Sequence, residues 1–257
     1  METQITLTWA VWLAAGAAIL AAGVTQGALG FGFPTISTPV LVLVTDVKTA
    51  IILNLMPNFV VNLLSVVRGG NWRASLGRYW PVAIYVLIGS FLGARFLIVA
   101  PQEPIRLLLA LIILAYLFQQ NLARLDWSWL TRYPRLSQCV FGLTGGFFSG
   151  SVNNSLPPLL IYFLLLGVET TVMTQILNLC FLGGKVVQAA TLGAAGEIDV
   201  SAALANIPLT LIALAGMYAG SRLQKRISAQ TYNRLLRKIL FLIAFVLLWQ
   251  GARYFVP

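Results

Sequence analysis

Lys185 is the residue of this chain that most invites chemistry. It stands in Leu182-Gly183-Gly184-Lys185-Val186-Val187, about halfway along a long apolar run. An ammonium at that depth in a bilayer costs several kcal/mol unless it is compensated, so an intramembrane lysine is a functional candidate by default. The acidic residues are Glu2, Asp46, Glu103, Asp126, Glu169, Glu197 and Asp199, and none falls in the middle of an apolar segment. With no evident carboxylate partner, Lys185 is matched by an anionic ligand; the alternative is that its stem snorkels to an interface. Two polar interruptions supply small donors for the same anion: Thr35, Ser37 and Thr38 in one, Asn153, Asn154 and Ser155 in the other. Those side chains also suit plain helix capping. Asn54, Asn58, Gln175 and Asn178 follow on the next apolar segments, where they line the same cavity or bridge helices. Of these, Asn58 and Gln175 join the candidate binding set.

What is missing narrows the chemistry. The chain has no histidine, which removes zinc-protease motifs, histidine relays and Ser-His-Asp triads. It has no phosphate-cradling Gly-x-x-x-x-Gly-Lys-Ser/Thr loop, so ATP does not drive it directly. No catalytic residue, cofactor or metal is expected, and the chain is not read as an enzyme. Asp46 and Glu169 remain candidates for a part in coupling.

The elements that position these residues are membrane helices. Hydrophobic residues make up 59% of the 257 and charged residues only 9%, with mean hydropathy +0.86; soluble domains carry roughly 25% charge. Apolar runs of the length needed to cross hydrocarbon, about 20 residues, recur along the whole chain. The first is read as a mature helix rather than a signal peptide, because Glu2 stands where a basic region would be. Cys139 and Cys180 both lie in apolar segments and imply no disulfide framework.

The chain also contains itself twice. Gly23-x-Thr25-x-Gly27 and Pro39-x-Leu41 recur as Gly142-x-Thr144-x-Gly146 and Pro158-x-Leu160, at an offset of 119. Gly89-x-x-x-Gly93-x-Arg95 recurs as Gly216-x-x-x-Gly220-x-Arg222, and Arg106-Leu107-Leu108 as Arg234-Leu235-Leu236. Single matches in a Gly- and Leu-rich chain mean little; their common order is the signal. Internal duplication of an apolar chain is a plan of secondary transporters. We divide one membrane domain, 1–257, into repeat 1 at about 5–120, a cytoplasmic linker at about 121–136, and repeat 2 at about 137–257.

Charge then decides topology. The net charge of +10 resides in short loops, and it is a sign of orientation rather than of nucleic-acid binding. Arg68, Arg73 and Arg78 form one cluster, Arg124, Arg132 and Arg135 a second, and Arg222, Lys225, Arg226, Arg234, Arg237 and Lys238 a third. Eight simple spans would force the third cluster outside. All three fall inside, and the Glu197/Asp199 loop outside, if each repeat opens with a broken, re-entrant-like hairpin. The hairpins would run over about 9–45, turning near Phe31–Ser37, and about 137–166, turning near Gly150–Leu156. Gly30-Phe31-Gly32-Phe33-Pro34 and Gly150-Ser151-Val152-Asn153-Asn154-Ser155 break helices at those places; the alternative is a kink in an ordinary span. The second repeat is then inverted relative to the first, and the returning arms aim their N-termini, which favour anions, inward.

The run Gly27-Ala28-Leu29-Gly30-Phe31-Gly32, followed by Pro39-Val40-Leu41, resembles the hallmark of the TauE/SafE sulfite-exporter family, and Gly89-x-x-x-Gly93-Ala94-Arg95 is similar to it too. The resemblance covers essentially the whole chain. It implies a multi-pass inner-membrane protein of two homologous halves that moves sulfite or organosulfonates. The chain differs from the family pattern in carrying Ser151-Val152-Asn153-Asn154-Ser155 where a glycine-rich stretch is expected, and Phe33-Pro34 where small residues are.

The expectation is therefore an all-α polytopic membrane protein that exports small sulfur-containing oxyanions by alternating access. Carriage of another small organic anion or metabolite is the alternative in the same class, and a membrane scaffold the alternative outside it. Its partners are a small anion and the lipid bilayer, without nucleic acid; homo-oligomerisation is compatible with the sequence and not required by it.

Overall fold

A computed structural model describes residues 9–69, 72–122, 125–198, 200–224, 226 and 229–255. Glu2, Arg124, Asp199 and Lys225, named above, lie outside them, as does the side chain of Arg73. The described chain is all-helical: α1 (Trp9–Leu29), α2 (Phe33–Val42), α3 (Val47–Arg68), α4 (Trp72–Val99), α5 (Gln102–Leu117), α6 (Gln119–Leu122), α7 (Trp129–Arg132), α8 (Pro134–Val152), α9 (Leu156–Leu165), α10 (Thr170–Ala194), α11 (Val200–Leu223) and α12 (Ala229–Phe255). Among the described residues, four segments are long and apolar enough to cross a membrane: Trp9–Leu29, Val47–Arg68, Gly77–Val99 and Thr170–Ala194. At 1.5 Å per residue, α1 reaches about 30 Å, the thickness of the hydrocarbon. The apolar helices α2 and α9, of 10 residues each, reach about half of it.

The two helix breaks have different chemistry. After α1 the chain turns on Gly30 and Gly32, at φ 83° and 101°, a region closed to most side chains. After α8 it turns on Asn153 at φ 61°, the one non-glycine residue with positive φ among those described; asparagine tolerates this region better than most. Pro34 and the pair Pro157-Pro158 open the helices that follow, where a missing N–H does least harm.

Helix packing runs across the two halves of the sequence. Gly23 and Gly27 of α1 lie against Gly216, Met217 and Ser221 of α11, while Gly89 and Gly93 of α4 lie against Leu143, Phe147 and Ser151 of α8. Each copy of the first glycine motif thus meets the second motif of the other copy. Both crossings are parallel: Val82, Val86 and Ser90 face Gly142, Gly146 and Gly150 in order, as Leu20 and Val24 face Gly216 and Gly220. The approach is backbone to backbone, so a Cβ on Gly150 would stand 2.6 Å from Ala94 N and one on Gly27 would stand 2.8 Å from Ser221 N. Close contact through small residues is the means by which helices associate where lipid offers no hydrophobic drive.

α3 and α10 pair antiparallel at the centre. Lys48, in the first turn of α3, bonds Glu197 just beyond α10 at 2.9 Å. At the opposite end Gln175 of α10 donates to Gly69 O, beyond α3, at 3.1 Å. Asp46 caps α3 by accepting from Thr49 N at 2.9 Å. The Lys48–Glu197 pair is partly exposed and adds under about 1 kcal/mol. Trp129, Phe141 and Tyr162 stack in turn and Trp127 packs tilted against the first two; with Arg132 and Arg135 in the same stretch of sequence, this is the aromatic-and-basic composition of a membrane–water interface.

Candidate functional site

The breaks meet in the core. Thr35 Oγ1, in the first turn of α2, donates to Asn154 Oδ1 at 3.3 Å. Asn153 Nδ2 donates to Thr38 Oγ1 at 2.7 Å. From α3, Asn54 Nδ2 donates to Thr38 Oγ1 at 3.3 Å and Asn58 Nδ2 to Asn153 Oδ1 at 3.5 Å. From α10, Lys185 Nζ donates to Asn153 Oδ1 and to Gln188 Oε1. Asn153 is the hub: from a left-handed backbone at the end of α8 its amide bonds side chains of three helices, α2, α3 and α10.

Lys185 is 2% exposed and is the one charged side chain buried among the described residues. No carboxylate is among its partners within the described residues; Glu169 and Glu197 sit beyond the two ends of α10. Two amide oxygens partly solvate the ammonium but carry no charge, so the positive charge is left without a counter-ion. A small anion arriving here would find a fixed cation in a dry, low-dielectric site, where the attraction is several times stronger than in water. It would also find an open donor, because Asn154 Nδ2 is buried without a hydrogen-bond partner.

Glutamines supply the supporting layer. Gln188 Nε2 donates to Ser149 O at 3.2 Å and Gly150 O at 2.7 Å, taking up carbonyls freed where α8 ends. At the other break Gln26 Oε1 accepts from Phe33 N at 3.1 Å, while Asn178 Nδ2 donates to Gly30 O at 2.8 Å. Irregular backbone at membrane depth persists only where such partners exist. The helix N-termini contribute less than their geometry promises. Pro34, Pro157 and Pro158 have no N–H to offer, and Leu156 N donates to Asn154 Oδ1 at 3.4 Å.

A model of the sulfite exporter TauE/SafE family matches residues 15–247. The chain belongs to that family. TauE/SafE proteins are membrane transporters, at family level of sulfite and related sulfur anions, which makes this chain a multi-pass membrane protein. No curated protein and no solved structure matches it.

Of the candidate residues in this TauE/SafE chain, the structure brings together Lys185, Thr35, Thr38, Asn153, Asn154 and Asn58. Ser155 begins α9 beside them and is buried, with no side-chain cap bond. Ser37 is turned away, its hydroxyl donating to Phe33 O at 2.9 Å within its own helix. Gln175 also stands apart: it is ten residues from Lys185 on α10, about 15 Å along the axis, and holds Gly69 O. Two supporting residues, Gln188 and Gln26, escape a reading of the sequence. Gln188 carries a faint signal, since i and i+3 share a helix face and it stands three residues after Lys185.

Proposed function

We propose that this protein is a secondary transporter of small sulfur-containing oxyanions, sulfite or organosulfonates, across the cell inner membrane. The reading is carried by Lys185, a buried ammonium held only by neutral amides at the meeting point of two helix breaks. A scaffold has no use for so costly a group. The anion binds between Lys185 and Asn154 Nδ2, with Asn153, Thr35, Thr38 and Asn58 holding the site in shape.

Alternating access follows from an inverted repeat, which we propose as well. The N-terminal limb of the second stretch, α8, runs parallel to α4 from the Arg132/Arg135 end, and its return limb leads to Leu166–Glu169, which share a pocket with Arg78 and Tyr79 at the start of α4. In the first stretch α1 runs parallel to α11, whose start follows Glu197, and α2 leads into the α3 turn that bonds Glu197. These contacts favour two hairpins that open towards opposite membrane faces. Single cysteines at positions 73, 132 and 225, in a background lacking half-buried Cys139, are expected to react only from the cytoplasm, and one at 197 only from outside. Opposite accessibility of positions 73 and 225 would restore simple spans and remove the inversion.

The ligand is tested directly by thermal shift of the purified protein with sulfite, thiosulfate, sulfate and small sulfonates. Ligand at a hundred times its Kd stabilises by about 2.7 kcal/mol, so at least one of these anions should raise the Tm by several degrees where chloride does not. A flat response across the set would contradict the anion reading.

A further inference from the structure

Ser90 is fully buried, and its hydroxyl has no hydrogen-bond partner. A serine inside a helix ordinarily returns its proton to the carbonyl four residues back, as Ser37, Ser65 and Ser151 do here with Phe33, Val61 and Phe147. For Ser90 that acceptor is Val86 O, and the bond is not made. Helix packing does not call for a serine either. In the second copy of the same glycine motif the equivalent position is Met217, and that crossing is as close.

The free hydroxyl stands beside Gly184. A Cβ on Gly184 would lie 2.9 Å from Ser90 Oγ and 2.5 Å from Ser149 Oγ. Hydroxyls from α4 and α8 therefore converge on the bare backbone of α10 at Gly184, a single residue before Lys185. One turn on, Gln188 ties Ser149 O and Gly150 O to the Lys185 ammonium. The bare glycine thus lets an unpaired hydroxyl come close against α10 on the side next to the residue that carries the buried cation.

We infer that Ser90 is a substrate-binding residue that donates to a compact oxyanion held by Lys185, and that Gly184 sets the size limit of that site. The inference rests on the anion reading of Lys185 and adds to it a further donor, beside Asn154 Nδ2, and a steric rule. A pyramidal or tetrahedral oxyanion has three or four oxygens, so it can accept from the ammonium and the hydroxyl at once. Any side chain at position 184 would press on Ser90 Oγ and Ser149 Oγ and displace the donor.

The test is calorimetric titration of the purified full-length protein with sulfite, beside the Tm of each variant. Ser90→Ala is expected to weaken binding about tenfold without lowering the Tm, because it removes a buried hydroxyl that has no partner in the empty site. Gly184→Ala is expected to weaken it at least as much. Gly183→Ala, whose Cβ would meet only the movable Leu87 Cδ2 at 2.9 Å, is expected to bind as wild type. Unchanged affinity in Ser90→Ala, or a loss seen only together with a lower Tm, overturns the inference while leaving the Lys185 reading intact. Absence of sulfite binding by wild type itself overturns the reading beneath both.

Discussion

Lys185→Met is expected to lose at least tenfold in oxyanion affinity while melting no lower than wild type. At about 4 Å and an effective dielectric near 20, a cation–anion pair is worth about 4 kcal/mol before desolvation. A net remainder of about 1.4 kcal/mol already amounts to a factor of ten. Methionine keeps most of the length and packing of the side chain and removes the charge. The substitution frees Gln188 Oε1 and relieves Asn153 Oδ1 of one donor, which costs on the order of 1–3 kcal/mol. Against that it removes a buried cation with no counter-ion, a group whose burial costs several kcal/mol. Lys185→Arg should keep partial affinity, since the charge survives but the planar fork does not reproduce the compact ammonium. Isothermal titration of the three proteins separates these cases. Equal affinity in wild type and Lys185→Met would make Lys185 a structural residue.

Gly93→Val should do more damage to the fold than any substitution in the binding site. Position 93 has Phe147 C and Ser151 N both 2.9 Å from where a Cβ would stand. The obstacle is backbone on both counts, so no rotamer change relieves it and α4 must move away from α8. Overpacking of this kind costs about 1–3 kcal/mol, and a backbone clash belongs at the upper end. Gly27→Val should behave alike, because Gly27 makes the equivalent approach to Met217 and Ser221 in the other crossing. Gly77→Ala in the same helix α4 is the control. Nothing lies within 4 Å of its Cβ position, so it should hold or raise the Tm through the better helix propensity of alanine. Equal Tm values for Gly93→Val and Gly77→Ala would refute the close-packed crossing.

Both breaks were legible in the sequence because they rest on local chemistry. Gly30-Phe31-Gly32-Phe33-Pro34 interrupts the helix, and α1 ends at Leu29, although Phe33 to Ser37 of the Phe31–Ser37 stretch chosen for the turn already belong to α2. The second break, at Asn153–Ser155, falls within the Gly150–Leu156 stretch chosen for it, although Gly150 to Val152 stay helical. Lys185 was legible for the opposite reason: a charge in an apolar run is expensive wherever the run folds. The partners of the glycine motifs were not legible. A motif repeated in each half shows that a helix has a bare face, yet nothing local says which other helix meets it, and here the answer crosses the halves. Gln26 and Gln188 passed unnoticed because a neutral amide in a helix costs too little to draw the eye until its carbonyl partners are known. Gln175 drew notice on composition alone, and its place at the α3–α4 corner was set by the antiparallel register of α3 and α10, which only the packed structure supplies. The helix N-termini were credited with donors that Pro34, Pro157 and Pro158 lack, although those prolines stand in plain view.

The central claim, that Lys185 and the two breaks form the anion site of a transporter, is tested most directly by sulfite flux into proteoliposomes holding either wild type or Lys185→Met. We expect saturable uptake by wild type, well above protein-free vesicles, and uptake close to the protein-free level for Lys185→Met at equal reconstituted amounts. Wild-type flux no greater than that of empty vesicles, or equal saturable flux through both proteins, would contradict it.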